Sequence, residues 1–197
     1  MAVAWCPVTE SVADTNGSPA QAVFEAMRLR RMHRVFTSEL PAAEVLDRLV
    51  YAASRAQVAR PGIRHLIVVT DPRLVRTVRS ACPGFVNNAP VVIVICSDLR
   101  RAEEVMGPRG VEVVTRLDSG AAAGYITIAA PTLGIGVCKV TSWTEEVVQA
   151  IFGIPDHIRP EVLMAIGIPV KNHPKPVKGF HPSVHHDLYG QDWSHPR

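Results

Sequence analysis

The sequence predicts one soluble domain of α/β or α+β class with a three-layer arrangement, and three observations carry that reading. Short apolar runs rich in β-branched residues recur at Leu66–Thr70, Pro90–Ser97 and Glu161–Ile168, the pattern of strands buried on both faces. Amphipathic stretches with apolar spacing near about 3.6 residues alternate with them, so helices interleave with strands. The 197 residues, 47 % hydrophobic and 20 % charged, can bury one core of ordinary size without disulfides or a structural metal.

Residues 1–17 mix polar and apolar side chains without a period and read as an arm that is ordered only where it docks. Ser18 as N-cap, with Pro19 in the first turn, opens a helix that carries Val23, Phe24 and Met27 toward Leu29 and runs into a basic cluster. A second helix starts at Ser38 or Pro41 and places Val45, Leu46, Leu49, Val50 and Ala53 on one face, before the irregular segment 57–62. Asp71–Cys82 reads as a basic amphipathic helix with Leu74, Val75 and Val78 inward, whereas Leu99–Gly110 is polar and turn-rich. Val111–Leu133 is expected as one long helix of small residues, packed closely in the core, with Pro131 kinking its last turn. Gly134 stops that helix, residues 134–139 are strand-like, and Ser142-Trp-Thr-Glu145 forms a capping box for a helix ending at Gly153. The tail from Pro169, rich in Pro, Lys and His, is expected to wrap over a neighbouring surface such as another subunit.

Composition narrows the function classes. A formal charge of +3, spread over separate clusters, gives no nucleic-acid footprint. Cys6, Cys82, Cys96 and Cys138 have no C-x-x-C spacing and read as reduced thiols, two of them in apolar runs. No apolar run approaches the roughly 18 residues of a membrane span. The start of the chain lacks a basic leader with a sustained apolar core, which makes the cytoplasm the default location. His181, His185 and His186 near Asp187 have a spacing that could hold a divalent metal, but the Pro-rich context and missing supporting groups leave the expectation at no metal.

The most pointed chemistry lies in Arg30-Arg31-Met32-His33-Arg34-Val35-Phe36. Three guanidiniums within five residues repel one another unless an anion such as a phosphate monoester screens them, although a solvated basic helix end would also accommodate them. From about residue 20 to residue 190 the order of features resembles the nitroreductase-like family of FMN-dependent oxidoreductases. That family opens with Arg-Arg-Ser-x-Arg-x-Phe, which the segment 30–36 matches with Met32 in place of Ser. An irregular loop and an apolar strand ending in Asp-Pro follow, as in Ala52–Pro72, then a strand beginning Ala89-Pro90. A central Asp-x-x-x-Ala helix ending in Leu-Gly-x-Gly (Asp118–Gly136), the turn Phe152-Gly-Ile-Pro155 and the strand end Ile166-Gly-Ile-Pro169 complete the series.

The resemblance implies an α+β fold of α/β/α layers, with a central, mostly antiparallel sheet flanked by helices, in an interlocked homodimer that binds FMN at the subunit interface. It implies a domain over residues 18–170, with the arm 1–17 before it and an extension 171–197 wrapping the partner subunit. Arg30, Arg31 and Arg34 would hold the phosphate and ribityl chain, Met32 stands beside them, and Lys178 would complete the phosphate site. Lys139, Val140, Thr141 and Ser142 would run along the isoalloxazine, with the Thr141 N–H on N5. Gln57 and Val58 would also bind the cofactor, and Arg60 would meet the flavin's pyrimidine edge. Here the chain departs from the family, because Ala56–Arg64 lacks the usual Ser, Asn and Trp and is one residue shorter, which leaves Arg60 nearest the position of the Asn. The activity implied is hydride transfer from NAD(P)H through flavin N5 to a small acceptor such as a nitroarene or quinone, with no catalytic side chain required. Two alternatives stay open: a cyclodipeptide-oxidase-like dehydrogenase with oxygen as acceptor and a small partner subunit, and a non-catalytic flavin-binding or storage protein.

Overall fold

The computed structural model describes residues 19–82, 87–170 and 183–191. The arm 1–17, the N-cap Ser18 and most of the C-terminal extension, with Lys178 and His181, lie outside them. In chain order the elements are α1 (Pro19–Leu29), α2 (Ala43–Arg55), β1 (Arg64–Val69), α3 (Pro72–Ala81), β2 (Val91–Asp98), α4 (Leu99–Arg109) and a π-helical turn (Gly110–Val114). They continue with α5 (Thr115–Thr132), β3 (Gly136–Val140), α6 (Glu145–Phe152) and β4 (Ile158–Gly167).

The strands form one antiparallel sheet in the order β1-β2-β4-β3. The central strand β2 is buried along nearly its whole length, and alternation of its side chains divides the interior into two cores. Val92, Val94 and Cys96 join Leu163, Ala165, Cys138 and Val140 under α3 and α6, which contribute Val75, Val78 and Val148. Val91, Ile93 and Ile95 join Met164, Ile166 and Val137 under α2 and α5, which contribute Leu49, Ala53, Ala122 and Ile126. This is the α/β/α layering of an α+β domain, and full burial of each such Ile, Leu or Val contributes about 1.5–3 kcal/mol. The alanines of α5 let its backbone lie close to the sheet, as their small volume predicts. No helix among the described residues is long and apolar enough to cross a membrane.

Local chemistry explains where the elements begin and where two expectations fail. The Asp71 carboxylate accepts from the Arg73 N–H at 2.6 Å and Pro72 occupies the first turn, which starts α3 as its sequence indicates. Residues 99–109, expected as turn-rich, form α4. Asp98 caps it by accepting from the Arg101 N–H at 2.8 Å, and Ala102 anchors it in the interior. The turn signal Gly107-Pro108 marks a kink, with Gly107 at φ +65°, after which the chain passes through the π-helical turn into α5. The expected capping box does not form. Thr144 is the N-cap of α6 without a side-chain bond, and its N–H instead donates to the Ala81 carbonyl of α3 at 3.1 Å. Gly153 ends α6 in the left-handed conformation that a side chain would disfavour.

Gly167 sits where β4 meets both Pro90 and Phe36. A methyl group there would lie 2.6 Å from Pro90 Cδ and 3.0 Å from Phe36 Cβ. Gly167→Ala is therefore expected to cost about 1–3 kcal/mol through overpacking. Urea unfolding would read this as a lower midpoint at constant slope, and an unchanged midpoint would refute the steric argument.

Candidate functional site

The basic segment that follows α1 is laced to the sheet by its main chain. Met32 bridges Val137 in parallel and Phe36 bridges Pro169 in antiparallel fashion. The His33 N–H donates to the Val137 carbonyl at 3.0 Å, and the Thr37 N–H donates to the Ile168 carbonyl at 2.8 Å. Asn88 clamps the segment from the other side: its Oδ1 accepts from the Phe36 N–H at 3.0 Å and its Nδ2 donates to the Phe36 carbonyl at 2.5 Å. Asn87 Nδ2 donates to the Arg34 carbonyl at 2.8 Å. With His33 and Phe36 turned inward, Arg30, Met32, Arg34 and Val35 are left exposed and Arg31 half-buried. Gly136 permits the contact, because a Cβ there would fall 2.8 Å from His33 Cβ.

The charges of this segment are unbalanced. Arg28 pairs with Glu25 at 2.5 Å, an exposed pair within one turn. Arg30, Arg31 and Arg34 have no carboxylate partner among the described residues. Arg31 donates to the Arg28 and Arg30 carbonyls at 2.7 Å each, and Arg34 Nη2 lies 3.6 Å from Met32 Sδ. Burial pushes the Cys138 thiol of β3 up, and the nearby Arg34 guanidinium partly opposes that push.

Downstream on β3, Lys139 is exposed while Val140 is buried, and Thr141 and Ser142 leave the sheet exposed. Thr141 and Trp143 line a polar pocket of about 380 Å³ together with Arg116, Glu145, Arg159 and Glu161. Two of its walls are mutually neutralised: Arg159 Nη2 lies 2.7 Å from Glu161 Oε1, and the same nitrogen donates to the Val111 carbonyl at 2.9 Å and to Thr115 Oγ1 at 3.0 Å. Both partners are largely buried, so the pair is structural.

The loop between α2 and β1 belongs to the other edge of the sheet. Gln57, Val58 and Arg60 are exposed, and Arg60 turns back on the Ala59 carbonyl at 3.0 Å. Arg64 and Asp118, neither of them singled out as a site residue from the sequence, hold this loop. Arg64 Nη1 donates to the carbonyls of Ala53 at 3.0 Å and Ala56 at 3.1 Å. Its Nη2 donates to the Gln57 carbonyl and to the Asp118 carbonyl, the latter at 2.9 Å. Asp118 Oδ2 accepts from the Ala59 N–H at 2.6 Å. The sequence signal was a lone arginine at the head of an apolar run.

The structure thus brings Arg30, Arg31, Met32 and Arg34 beside β3, whose end carries Lys139–Ser142. It does not bring Gln57, Val58 and Arg60 to them within one protomer. The register rows align Arg64 with Ser97 and Ser97 with Arg159, so the loop and the end of β3 share one end of the sheet but lie on opposite edges. Three strand spacings, roughly 14 Å, separate β1 from β3. No group of three or more His, Cys, Asp or Glu side chains able to hold a metal occurs among the described residues.

Comparison with known proteins follows the same lines. Residues 78–168 match the family described as the nitroreductase family. The FMN reductase (NADPH) of Bacillus subtilis (strain 168) is 28 % identical over 161 residues, which cover 74 % of this chain and 65 % of that protein. The chain therefore spans just under two thirds of that relative's length. The structure of NfrA1 nitroreductase from B. subtilis is similar with a TM-score of 0.71 at 26 % identity, covering 85 % of this chain and 74 % of that one. Nitroreductase A from Vibrio parahaemolyticus RIMD 2210633 shares the fold with a TM-score of 0.74 at 22 % identity, covering 88 % and 78 % of the two chains.

The buried thiols make the site's surroundings pH-sensitive. Burial pushes Cys82 up to about 11, and burial with repulsion from Glu161 pushes Cys96 up to about 12. Folded values above unfolded ones mean that the thiols favour the folded state below the unfolded value, near about 8.5. That contribution is lost as pH rises through the folded values. Melting temperature is expected to fall from pH 9 toward pH 12. Cys96→Ala should make that decline shallower than in the parent protein, and equal slopes would refute the assignment.

Proposed function

We propose that this chain is a member of the nitroreductase family, whose description its residues 78–168 match, and that it is an FMN-dependent NAD(P)H oxidoreductase acting on a small organic acceptor such as a nitroarene or quinone. The observation that carries the proposal is the set of three guanidiniums without a carboxylate partner among the described residues, Arg30, Arg31 and Arg34, on a segment fastened to edge strand β3 at Val137. That donor set suits a phosphate monoester and the hydroxyls of a ribityl chain, so the residues fit FMN. Met32, standing where the family has Ser, removes one hydroxyl contact worth about 1 kcal/mol.

Bound FMN would supply reversible hydride acceptance at N5, with NAD(P)H and the acceptor using one face in turn. The chain's own part is to bind, orient and tune. Arg30, Arg31 and Arg34 would neutralise the phosphate; Lys178, the further cation expected there, lies outside the described residues. Lys139, Thr141 and Ser142 would line the ring, with the Thr141 N–H as the donor toward N5, while Val140 would contribute only main chain because its side chain is buried in the core. Among the described residues Arg60 donates to its neighbour's carbonyl, which leaves further guanidinium donors that would meet O2 and balance negative charge near N1.

Opposite placement of the two residue sets supports a homodimer in which the loop of one protomer serves the flavin held by the other. Outward-facing Phe24, Tyr51, Leu117 and Tyr125, on α1, α2 and α5, provide the apolar surface such a pairing would cover.

An absorbance spectrum of the purified protein before and after anaerobic NADPH or NADH tests the whole reading. A yellow protein bleached by either donor is expected. A protein that takes up no FMN would overturn the cofactor, and a yellow one that neither donor bleaches would overturn the electron donor. Arg30→Ala should weaken FMN binding tenfold or more, in line with about 1.5–3 kcal/mol for a hydrogen bond to a charged group. Arg60→Ala should change the reduction rate more than FMN affinity, and loss of cofactor at an unchanged rate would refute that role.

A further inference from the structure

We propose that Arg64 and Asp118 are a positioning pair that fixes residues 57–60 for the flavin without touching it, an inference that rests on the flavin reading above. The loop from Ala56 to Ile63 has few attachments of its own. At its far end the Ile63 carbonyl accepts from the Asp98 N–H at 2.8 Å. Over residues 57–60, the main-chain ties to other elements run to these two side chains: the Gln57 carbonyl to Arg64 and the Ala59 N–H to Asp118.

Arg64 does this from outside the loop. Its two terminal nitrogens engage four carbonyls, two at the C-terminal end of α2, one in the loop and one on α5. The carbonyls at a helix C-terminus are unsatisfied acceptors at the negative end of the helix dipole, so a cation is favoured there. Only a planar fork can serve acceptors from three elements at once, and a lysine ammonium cannot span them. The charge is held at a cost, since burial lowers the guanidinium's proton affinity while the Asp118 carboxylate partly restores it. Nε of Arg64 is buried with no hydrogen-bond partner, which shows that the fork is placed for its terminal nitrogens. Asp118 completes the arrangement by joining the loop to α5, whose outer face carries the exposed Leu117 and Tyr125. Loop position is thereby linked to the surface proposed to meet the partner.

The test compares Arg64→Met, Arg64→Lys, Asp118→Ala and Asp118→Asn with the parent protein. Three quantities are measured: the Kd for FMN by fluorescence quenching, the midpoint potential of the bound flavin, and the melting temperature of the apoprotein. Arg64→Met and Asp118→Ala are expected to raise the Kd at least tenfold and to shift the potential to more negative values, because donors near the pyrimidine edge are displaced. Arg64→Lys should recover part of this loss. Asp118→Asn, whose amide oxygen still accepts from Ala59, should lose less than Asp118→Ala. If Arg64→Met does not fold, the two Asp118 variants decide.

Variants that melt earlier yet bind FMN within threefold of the parent at an unchanged potential would reduce the pair to a structural role and overturn the proposal. If the parent protein itself takes up no FMN, the flavin reading fails and this inference falls with it. A parent that binds FMN beside variants that bind it equally well overturns this inference alone.

Discussion

The reach of the basic segment depends on how closely its backbone approaches the sheet. Arg30 to Arg34 lie beyond the end of a helix, where a chain would ordinarily fray and its cations would disperse into water. Here the segment instead acts as a short additional rail beside β3 and β4, held by main-chain bonds at His33 and Thr37 and by the Asn88 clamp on Phe36. Two glycines make that approach sterically feasible. Gly136 accepts His33 against its bare Cα, and Gly167 does the same for Phe36 and Pro90. Side-chain alternation then follows: the inward residues fill the interior and the cations are presented outward. The electrostatic character of the site is therefore a consequence of backbone packing, and no side-chain partner of the arginines is needed to fix their origin.

A second constraint comes from the order of the strands. Placing the central pair β2 and β4 in the middle puts β1 and β3 on opposite edges, with the loop before β1 and the end of β3 at the same end of the sheet. No rearrangement of loops within one protomer removes the two intervening strands. A ligand that contacts both groups at once must either span that width or meet the loop of a second copy, the arrangement proposed above. Phe24, Tyr51, Leu117 and Tyr125 are apolar residues left outward on α1, α2 and α5.

The periodic elements were legible in the sequence because burial on both faces of β2 and β4 leaves uninterrupted apolar runs, and because Asp71-Pro72 and Gly153 carry their own start and stop chemistry. Residues 99–109 were not, since Gly107, Pro108 and Gly110 together look like a loop. What makes them a helix is the Asp98 cap and the tertiary burial of Ala102, neither of which composition reveals. At the site, the basic cluster could be read from charge spacing and from the family resemblance. The Arg64 fork could not, because its partners are main-chain carbonyls, which every residue possesses and no residue type announces. The expected capping box fails because α6 begins two residues later than that pattern requires, with Thr144 at the N-cap and its N–H tied to the Ala81 carbonyl of α3.

The arginines of this chain separate into two kinds by what surrounds them. Arg159 is largely buried, neutralised by Glu161 and hydrogen-bonded to the π-helical turn; Arg64 is half-buried and turned onto four carbonyls. Both are bonded to the protein itself, and removing either would leave buried acceptors or a buried carboxylate unmatched, a penalty larger than the net gain of the original bond. Arg30, Arg31 and Arg34 are different: they remain hydrated, lack carboxylates among the described residues, and repel one another at short range. Each is tolerable in water, but the group gains from an anion that all three can share, and a dianionic phosphate satisfies that condition better than any single carboxylate side chain. Charge alone would not distinguish these two populations. Burial and the identity of the acceptors do: Arg159 and Arg64 are engaged by the protein's own carboxylate and carbonyls, with Arg64 fixing the loop before β1, whereas Arg30, Arg31 and Arg34 face solvent and stay free for the anion proposed above.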